Sequence, residues 1–163
     1  MRAFTLFALT AALLSVSAAS AEDGIPDAVR KSIEDRLIGE WSIESKLGDV
    51  VSKGTIVAKW SPGKQSVRTE WVETGDGGIR HASELIGWDA DAKCLMVYGF
   101  GAESANWIVR YTDVTSKIWK GEWKGFINGK VGGSSCTMEL RGDSFEYRDT
   151  TDGKSLIVKA TRK

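Results

Sequence analysis

The spacing of apolar positions changes once along the chain, at Gly39. Before this residue, Val29, Ile33 and Leu37 recur every four positions, and opposite charges pair at the same spacing on the other side. This pattern predicts one amphipathic helix, whose apolar stripe must be buried against another element. Gly39 is well placed to end the helix, because glycine tolerates the conformation that follows a last turn.

After Gly39 apolar and polar residues alternate, as is typical of β-strands. The alternation is clearest in the second half of the chain. Asn128-Gly129, Gly142-Asp143 and Asp152-Gly153 are each suited to a two-residue hairpin turn. The predicted strands are 40–47, 54–60, 65–73, 79–88, 93–99, 103–112, 117–127, 130–140, 144–151 and 155–162.

Short turns make each strand antiparallel to the next one along the chain. A meander of about ten strands with one apolar face removes its exposed edges by closing on itself. We therefore predict an all-β fold: an antiparallel up-and-down barrel over residues 39–163, with the N-terminal helix closing one end. A β-sandwich is the alternative, and its Greek-key connections require longer loops than this chain offers.

The first 21 residues have the three parts of a secretory signal in order. Met1-Arg2 is positively charged, Phe4 to Val16 is apolar, and Ala19-Ser20-Ala21 is a small-residue cleavage site. The apolar run is too short to span a bilayer as a helix. We expect a signal peptide over residues 1–21, then a leader and helix over 22–38, and a protein that is secreted or periplasmic in a bacterium without membrane insertion after cleavage.

Charge gives no indication of a polyanionic partner. The chain has 22 basic and 22 acidic residues. Cleavage removes Arg2 alone among these, which leaves the mature chain at −1. A near-neutral chain with interspersed charges lacks the basic surface of a nucleic-acid-binding protein.

Residues with catalytic or metal-binding chemistry are few and isolated. The only histidine is His81, and Cys94 and Cys136 form no metal-ligand motif with it. The two cysteines fall on strands that are not neighbours, so we expect two separate buried thiols, with a disulfide across the barrel mouth as the alternative. Arg141-Gly142-Asp143 is explained by its turn chemistry. We predict no catalytic residue, no metal and no cofactor.

Three carboxylates allow an alternative in which the barrel interior carries a polar site. Glu70, Glu73 and Glu84 could form an acid–base pair inside the barrel. Their neighbours Arg68 and Arg80 favour cross-strand ion pairs on the solvent face instead.

Aromatic residues dominate the predicted inward face, and the chain has seven tryptophans. Either these rings fill the core, as in small barrels, or they line a cavity for an apolar or planar ligand. Gly121 and Gly125 alternate with two of them, which fits both interpretations. The candidate ligand-binding residues are Trp71, Trp107, Tyr111, Trp119 and Trp123.

Gly39-Glu40-Trp41 resembles the start of the lipocalin and calycin barrels, which follows a short helix at the closed end. In that family a late arginine packs over the tryptophan. The resemblance implies this role for Arg162 and a structural, closing role for Gly39, Trp41 and Arg162. The central Thr-Asp-Tyr of lipocalins is absent, since Tyr111-Thr112-Asp113 has another order, and the usual number of strands is eight.

The chain is also similar to uncharacterised secreted bacterial proteins with lipocalin-like barrels. The segments that carry this likeness are Leu37 to Trp41, Gly87-Trp88-Asp89 and Gly99-Phe100-Gly101. The resemblance implies the fold and leaves the activity open.

The leading hypothesis is an exported, non-catalytic barrel that binds a small hydrophobic or aromatic ligand. The first alternative is a periplasmic protein-interaction or inhibitor module that uses hairpin tips such as Asn128-Gly129. The second is a barrel enzyme with a polar site in its interior, which a wholly apolar interior would exclude.

Overall fold

The structure, a computed structural model, describes residues 24–127, 129–151 and 153–163. It has the predicted fold class: a closed barrel of ten antiparallel strands preceded by one helix. The predicted signal peptide lies outside the described residues. The helix α1 spans Asp27–Arg36, and the strands are β1 Gly39–Leu47, β2 Val50–Trp60, β3 Ser66–Gly75, β4 Gly78–Asp89, β5 Cys94–Gly101, β6 Asn106–Val114, β7 Ile118–Ile127, β8 Lys130–Arg141, β9 Ser144–Thr151 and β10 Lys154–Arg162.

Each strand pairs with its neighbour in the chain, and β1 pairs with β10 to close the barrel. In this closing pair Trp41 lies opposite Arg162, and Leu47 lies opposite Leu156. The ladder between β8 and β9 is short and stops at the pair Thr137 and Arg148. Beyond that pair the Thr150 N–H donates to Ser134 Oγ at 3.1 Å, in place of a backbone partner.

Turn chemistry accounts for the tight connections. The β1–β2 and β8–β9 connections have two residues each and start with a glycine at positive φ, Gly48 and Gly142. Between β2 and β3, the Lys64 N–H donates to the Ser61 carbonyl, and Gly63 has a φ of 79°. This is the predicted turn with proline and glycine at its centre.

Helix α1 lies across one end of the barrel, which we call the closed end. Its stripe, Val29 and Ile33, is buried, as is Leu37 just after it. On the neighbouring side, Ser32 Oγ donates to the carbonyl of Thr115, in the β6–β7 connection, at 2.9 Å. Among the described residues, no helix is both long enough and apolar enough to cross a bilayer.

The helix ends before the predicted position. Its last residue is Arg36, and the Ile38 N–H still donates to the Ile33 carbonyl. Gly39 is the first residue of β1, with a φ of 139°. A Cβ here would lie 2.5 Å from Arg162 Nη1, so glycine is required by backbone conformation and by the close approach of this guanidinium.

The two halves of the barrel interior differ. The half near α1 is a dense apolar core, in which Ile33, Trp41, Leu95 and Trp119 are fully buried. The other half faces the connections that follow β1, β3, β5, β7 and β9, and we call this the open end. Its inward positions include glycines, serines and carboxylates.

Candidate functional site

The five predicted aromatic residues all point into the barrel, but they fall into two groups. Trp119, Tyr111 and Trp123 are buried, and the rings of Tyr111 and Trp119 meet edge to face at 5.5 Å. Trp71 and Trp107 are only partly buried and lie nearer the open end. The structure brings this second pair together around Glu84.

Glu84 of β4 is directed inward, which corrects the interpretation that places it in a solvent-face ion pair. Its Oε1 accepts from Trp107 Nε1 at 2.9 Å, and its Oε2 accepts from Trp71 Nε1 at 3.0 Å. Thr69, directly opposite on β3, donates its hydroxyl to Oε2 at 2.8 Å. We call Glu84, Thr69, Trp71 and Trp107 the Glu84 cluster.

The electrostatics of the Glu84 cluster are those of a carboxylate held by neutral donors. Burial raises the pKa of the Glu84 carboxyl above its usual 4.5, and the hydrogen bonds from Trp107, Thr69 and Trp71 oppose this rise. Within the described part of the chain, no lysine, arginine or histidine forms an ion pair with it. Three donors therefore stabilise a charge that no cation among the described residues neutralises.

The other two carboxylates of the sequence hypothesis behave differently. Glu70 lies on the outer face, where it accepts from Arg68 Nε at 2.6 Å and from Ser83 Oγ at 2.6 Å. The Ser83 hydrogen bond is the main reason why the pKa of Glu70 is lowered. Glu73 shares the inward side of β3 with Trp71 and lies opposite Arg80 at the open end of the β3–β4 ladder, not on the predicted solvent face. The ion-pair interpretation holds for Glu70 and is wrong for Glu84.

A second polar group lies across the barrel on β7, β8 and β9. Trp123 Nε1 donates to Ser134 Oγ at 2.8 Å, and the Tyr147 hydroxyl donates to Asp149 at 2.6 Å. Burial raises the pKa of the Tyr147 hydroxyl and brings that of the Cys136 thiol to about 11. The alternation that begins at Phe145 along β9 would have placed Tyr147 and Asp149 inside the barrel.

Glycines next to the tryptophans accommodate the rings. A Cβ at Gly99 would overlap the Trp107 indole, and one at Gly132 would lie 3.1 Å from the Trp123 ring. The structure also has two open surface grooves of about 230 and 450 Å³, one along β8 and β9 beside Cys136 and Asp149 and one beside Arg36 and Leu140. Neither groove is lined by a tryptophan.

Isolated reactive residues do not assemble into a catalytic or metal site. His81 is exposed on the outer face of β4, opposite Val72. Cys94 and Cys136 are both free and buried, on β5 and β8. Among the described residues, no three histidine, cysteine, aspartate or glutamate side chains converge closely enough to hold a metal ion.

The closed end contains the three residues of the lipocalin-like motif and the Arg-Gly-Asp turn. The Arg162 guanidinium lies 4.4 Å from the centre of the Trp41 ring and donates to the Ile38 carbonyl at 2.7 Å. Asp143 lies 3.6 Å from Arg162 Nε, and the Gly142 carbonyl accepts from Arg36. The turn is thus part of the packing beneath the helix.

No protein-family model matches the chain, and no curated protein matches it at a significant level. Solved structures with a similar barrel include a de novo designed fluorescence-activating β-barrel, at 10% identity and a TM-score of 0.46 over 81% of this chain and 98% of that one. A structure described as EF1p2_mFAP2b bound to DFHBI gives 11% identity and a TM-score of 0.46 over 83% of this chain and 99% of that one. The redesigned barrel mFAP1, also bound to DFHBI, gives 13% identity and a TM-score of 0.45, with the same coverage. The closed ten-stranded barrel itself fits a lipocalin-like fold.

Proposed function

We propose that this protein is an exported, non-catalytic barrel that binds a small hydrophobic or aromatic molecule at its open end. The observation that carries the proposal is the half-buried pair Trp71 and Trp107, which flanks the inward carboxylate of Glu84. Indoles bury large areas, and rings left half exposed around a polar group resemble a binding surface more than a finished core.

The contrast between the two ends of the barrel supports this location. The closed end is covered by α1, and Trp41 and Trp119 there are fully buried. Near the open end, Trp71 and Trp107 keep part of their surface accessible. A ligand that enters there would cover indole surface, which favours binding by about 25 cal/mol per Å² of apolar area removed from water.

Export rests on the predicted signal peptide over residues 1–21. Its removal would release a chain that begins at Glu22, three residues before the buried Ile25 of the helix layer. Secretion into a medium or a periplasm is compatible with a binding role, because ligand capture needs no second component.

Binding is tested with the mature protein and N-phenyl-1-naphthylamine, a neutral aromatic probe whose emission rises in an apolar site. We expect a saturable rise for the wild type, strongly reduced in the double variant Trp71→Ala, Trp107→Ala. The control is Trp60→Phe, since Trp60 lies under Arg30 beside the closed end. A response that is absent, or that persists unchanged in the double variant, overturns the proposal.

A protein-interaction role is the second candidate, favoured by an apolar strip on the outer face. Leu85 lies opposite Tyr98, and Tyr98 lies opposite Ile108, so three exposed apolar side chains are adjacent on β4, β5 and β6. The double variant Tyr98→Lys, Ile108→Lys should lose any partner captured by the wild type from an envelope extract. Equal capture by both proteins would argue against the strip.

The barrel-enzyme alternative requires polar groups in the interior, and the interior has them. However, the inward groups are occupied by each other: Glu84 accepts from three donors, and Asp149 accepts from Tyr147.

A further inference from the structure

We propose that the Glu84 cluster takes an organic cation, specifically a protonated amine carried on an aromatic or other flat apolar body. This inference rests on the proposed function and assigns its ligand class.

The Glu84 carboxylate has hydrogen-bonding capacity that the protein leaves unused. An ionised carboxylate accepts at about four lone-pair positions. Glu84 Oε2 accepts from Thr69 and Trp71, whereas Oε1 accepts from Trp107 only. One position remains on Oε1, and only a donor can use it. A ligand ammonium supplies such a donor, and a ligand carboxylate does not.

The negative charge of Glu84 has no basic partner among the described residues. Basic side chains near the cluster form no ion pair with Glu84 in the described part of the chain: Arg68 pairs with Glu70 on the outer face, and Arg80, opposite Glu73 at the open end, is exposed. An inward carboxylate without a cationic partner is costly, and a ligand cation would offset that cost. An anion at the same place would add to it.

The orientation of the two indoles favours a cation as well. Trp71 and Trp107 use their N–H edges on the carboxylate. What each has left for a ligand is its electron-rich face, which attracts cations. The carboxylate and the ring faces therefore favour the same charge on the ligand, and the flat apolar body would cover the exposed part of the rings.

Across the barrel from Glu84, Asp149 of β9 is also directed inward and accepts from the Tyr147 hydroxyl. Burial is the main cause of the raised pKa of the Tyr111 hydroxyl, and the Cys136, Glu84 and Asp149 side chains add to it. The two carboxylates therefore contribute a negative potential inside the barrel, which favours a cation over an anion.

The test compares three probes of similar shape on the mature protein at one ionic strength: 2-phenylethylammonium, 2-phenylethanol and 3-phenylpropanoate. Titration calorimetry gives affinities, and the indole N–H signals of Trp71 and Trp107 in nitrogen–proton NMR spectra give the location. Trp71→Phe and Trp107→Phe assign those two signals. We expect the ammonium to bind about tenfold tighter than the alcohol, since a hydrogen bond to a charged group contributes about that much.

Two variants separate the cluster from charge in general. Glu84→Gln should bring the ammonium and the alcohol to within about threefold of each other, because the buried charge is lost. Glu70→Gln, which removes the same group from the outer face, should leave the preference unchanged. The comparison among probes on the wild type needs neither variant, so a poorly folded Glu84→Gln does not leave the proposal undecided.

The outcomes distinguish the ligand class from the binding role. Equal affinity for the ammonium and the alcohol, with both indole signals shifted, overturns the cation and leaves ligand binding intact. Tightest binding of 3-phenylpropanoate, or shifts confined to other tryptophans, also overturns the cation. If no probe shifts either signal, binding at the open end fails and the cation fails with it.

Discussion

Two tryptophan sites in the two halves of this barrel combine the indole with charge in opposite ways. Near α1, the cation Arg162 lies over the face of Trp41. Nearer the open end, the anion Glu84 lies at the N–H edges of Trp71 and Trp107. Both arrangements follow from the charge distribution of the ring, which is negative on its face and positive at its edge.

The two sites differ in whether the protein itself neutralises the charge. Arg162 donates to the carbonyls of Ile38 and Asp35 and lies near Asp143, so the protein itself satisfies and neutralises it. Glu84 has three neutral donors and, among the described residues, no cation. A charge that the protein itself neutralises, such as that of Arg162, stabilises the fold. A stabilised but unneutralised charge is where a ligand gains most.

Truncation of Trp41 should have the largest effect on stability. Its ring is fully buried, contacts Phe145 edge to face at 5.0 Å and donates to the Leu37 carbonyl. We expect Trp41→Ala to lower the free energy of unfolding by about 3–5 kcal/mol, measured by urea denaturation. Trp71→Ala, at a half-buried ring, should cost about 1–3 kcal/mol. If both variants lost the same free energy of unfolding, the closed end and the open end would not differ in how much their tryptophans stabilise the fold.

An added methyl group at Gly99 should disturb the Glu84 cluster itself. A Cβ there overlaps the Trp107 ring, so Gly99→Ala must displace the indole from Glu84. Overpacking of this kind costs about 1–3 kcal/mol, and a red shift of tryptophan emission should accompany it. In the matched variant Gly101→Ala the Cβ would lie 3.3 Å from the same ring, and we expect a smaller loss. Equal stability losses in the two variants would mean that the Trp107 ring is not packed against Gly99.

Periodicity and turn chemistry predict most of the architecture because both are local. The stripe of Val29 and Ile33 predicts α1, and a glycine such as Gly142 in a two-residue turn predicts a hairpin. The number of strands and the closure of the barrel follow once consecutive strands are linked by short turns.

The Glu84 cluster depends on contacts distant in sequence. Its donors Trp71 and Trp107 lie 13 and 23 residues from Glu84, and they meet it only through the registers of β3, β4 and β6. In β4, the polar residues between Arg80 and Glu84 obscure the alternation. The phase of Ile86 and Trp88 would have placed Glu84 inside, against the usual preference of carboxylates for solvent. The nearby Arg68 and Arg80 favoured an ion pair for Glu84, but the strand register places Glu84 opposite Thr69 inside the barrel.

The smallest expected effect is a difference in how the two carboxylates respond to pH. The pKa of Glu84 is raised in the folded state, so between its usual 4.5 and the raised value the folded chain holds a proton that the unfolded chain has lost. Stability therefore falls as pH rises through this interval. We expect the free energy of unfolding of the wild type, relative to Glu84→Gln, to decrease from pH 4 toward neutrality.

Glu70 should show the opposite sign, because the Ser83 hydrogen bond lowers its pKa in the folded state. Its contribution is present above the usual 4.5 and is lost as pH falls through the lowered value. Relative to Glu70→Gln, the wild type should therefore lose stability toward acid. Urea denaturation of the three proteins across this pH range measures both slopes. The same sign for both would mean that Glu84 is as well solvated as Glu70, and the inward carboxylate would then offer a ligand no advantage over one on the surface.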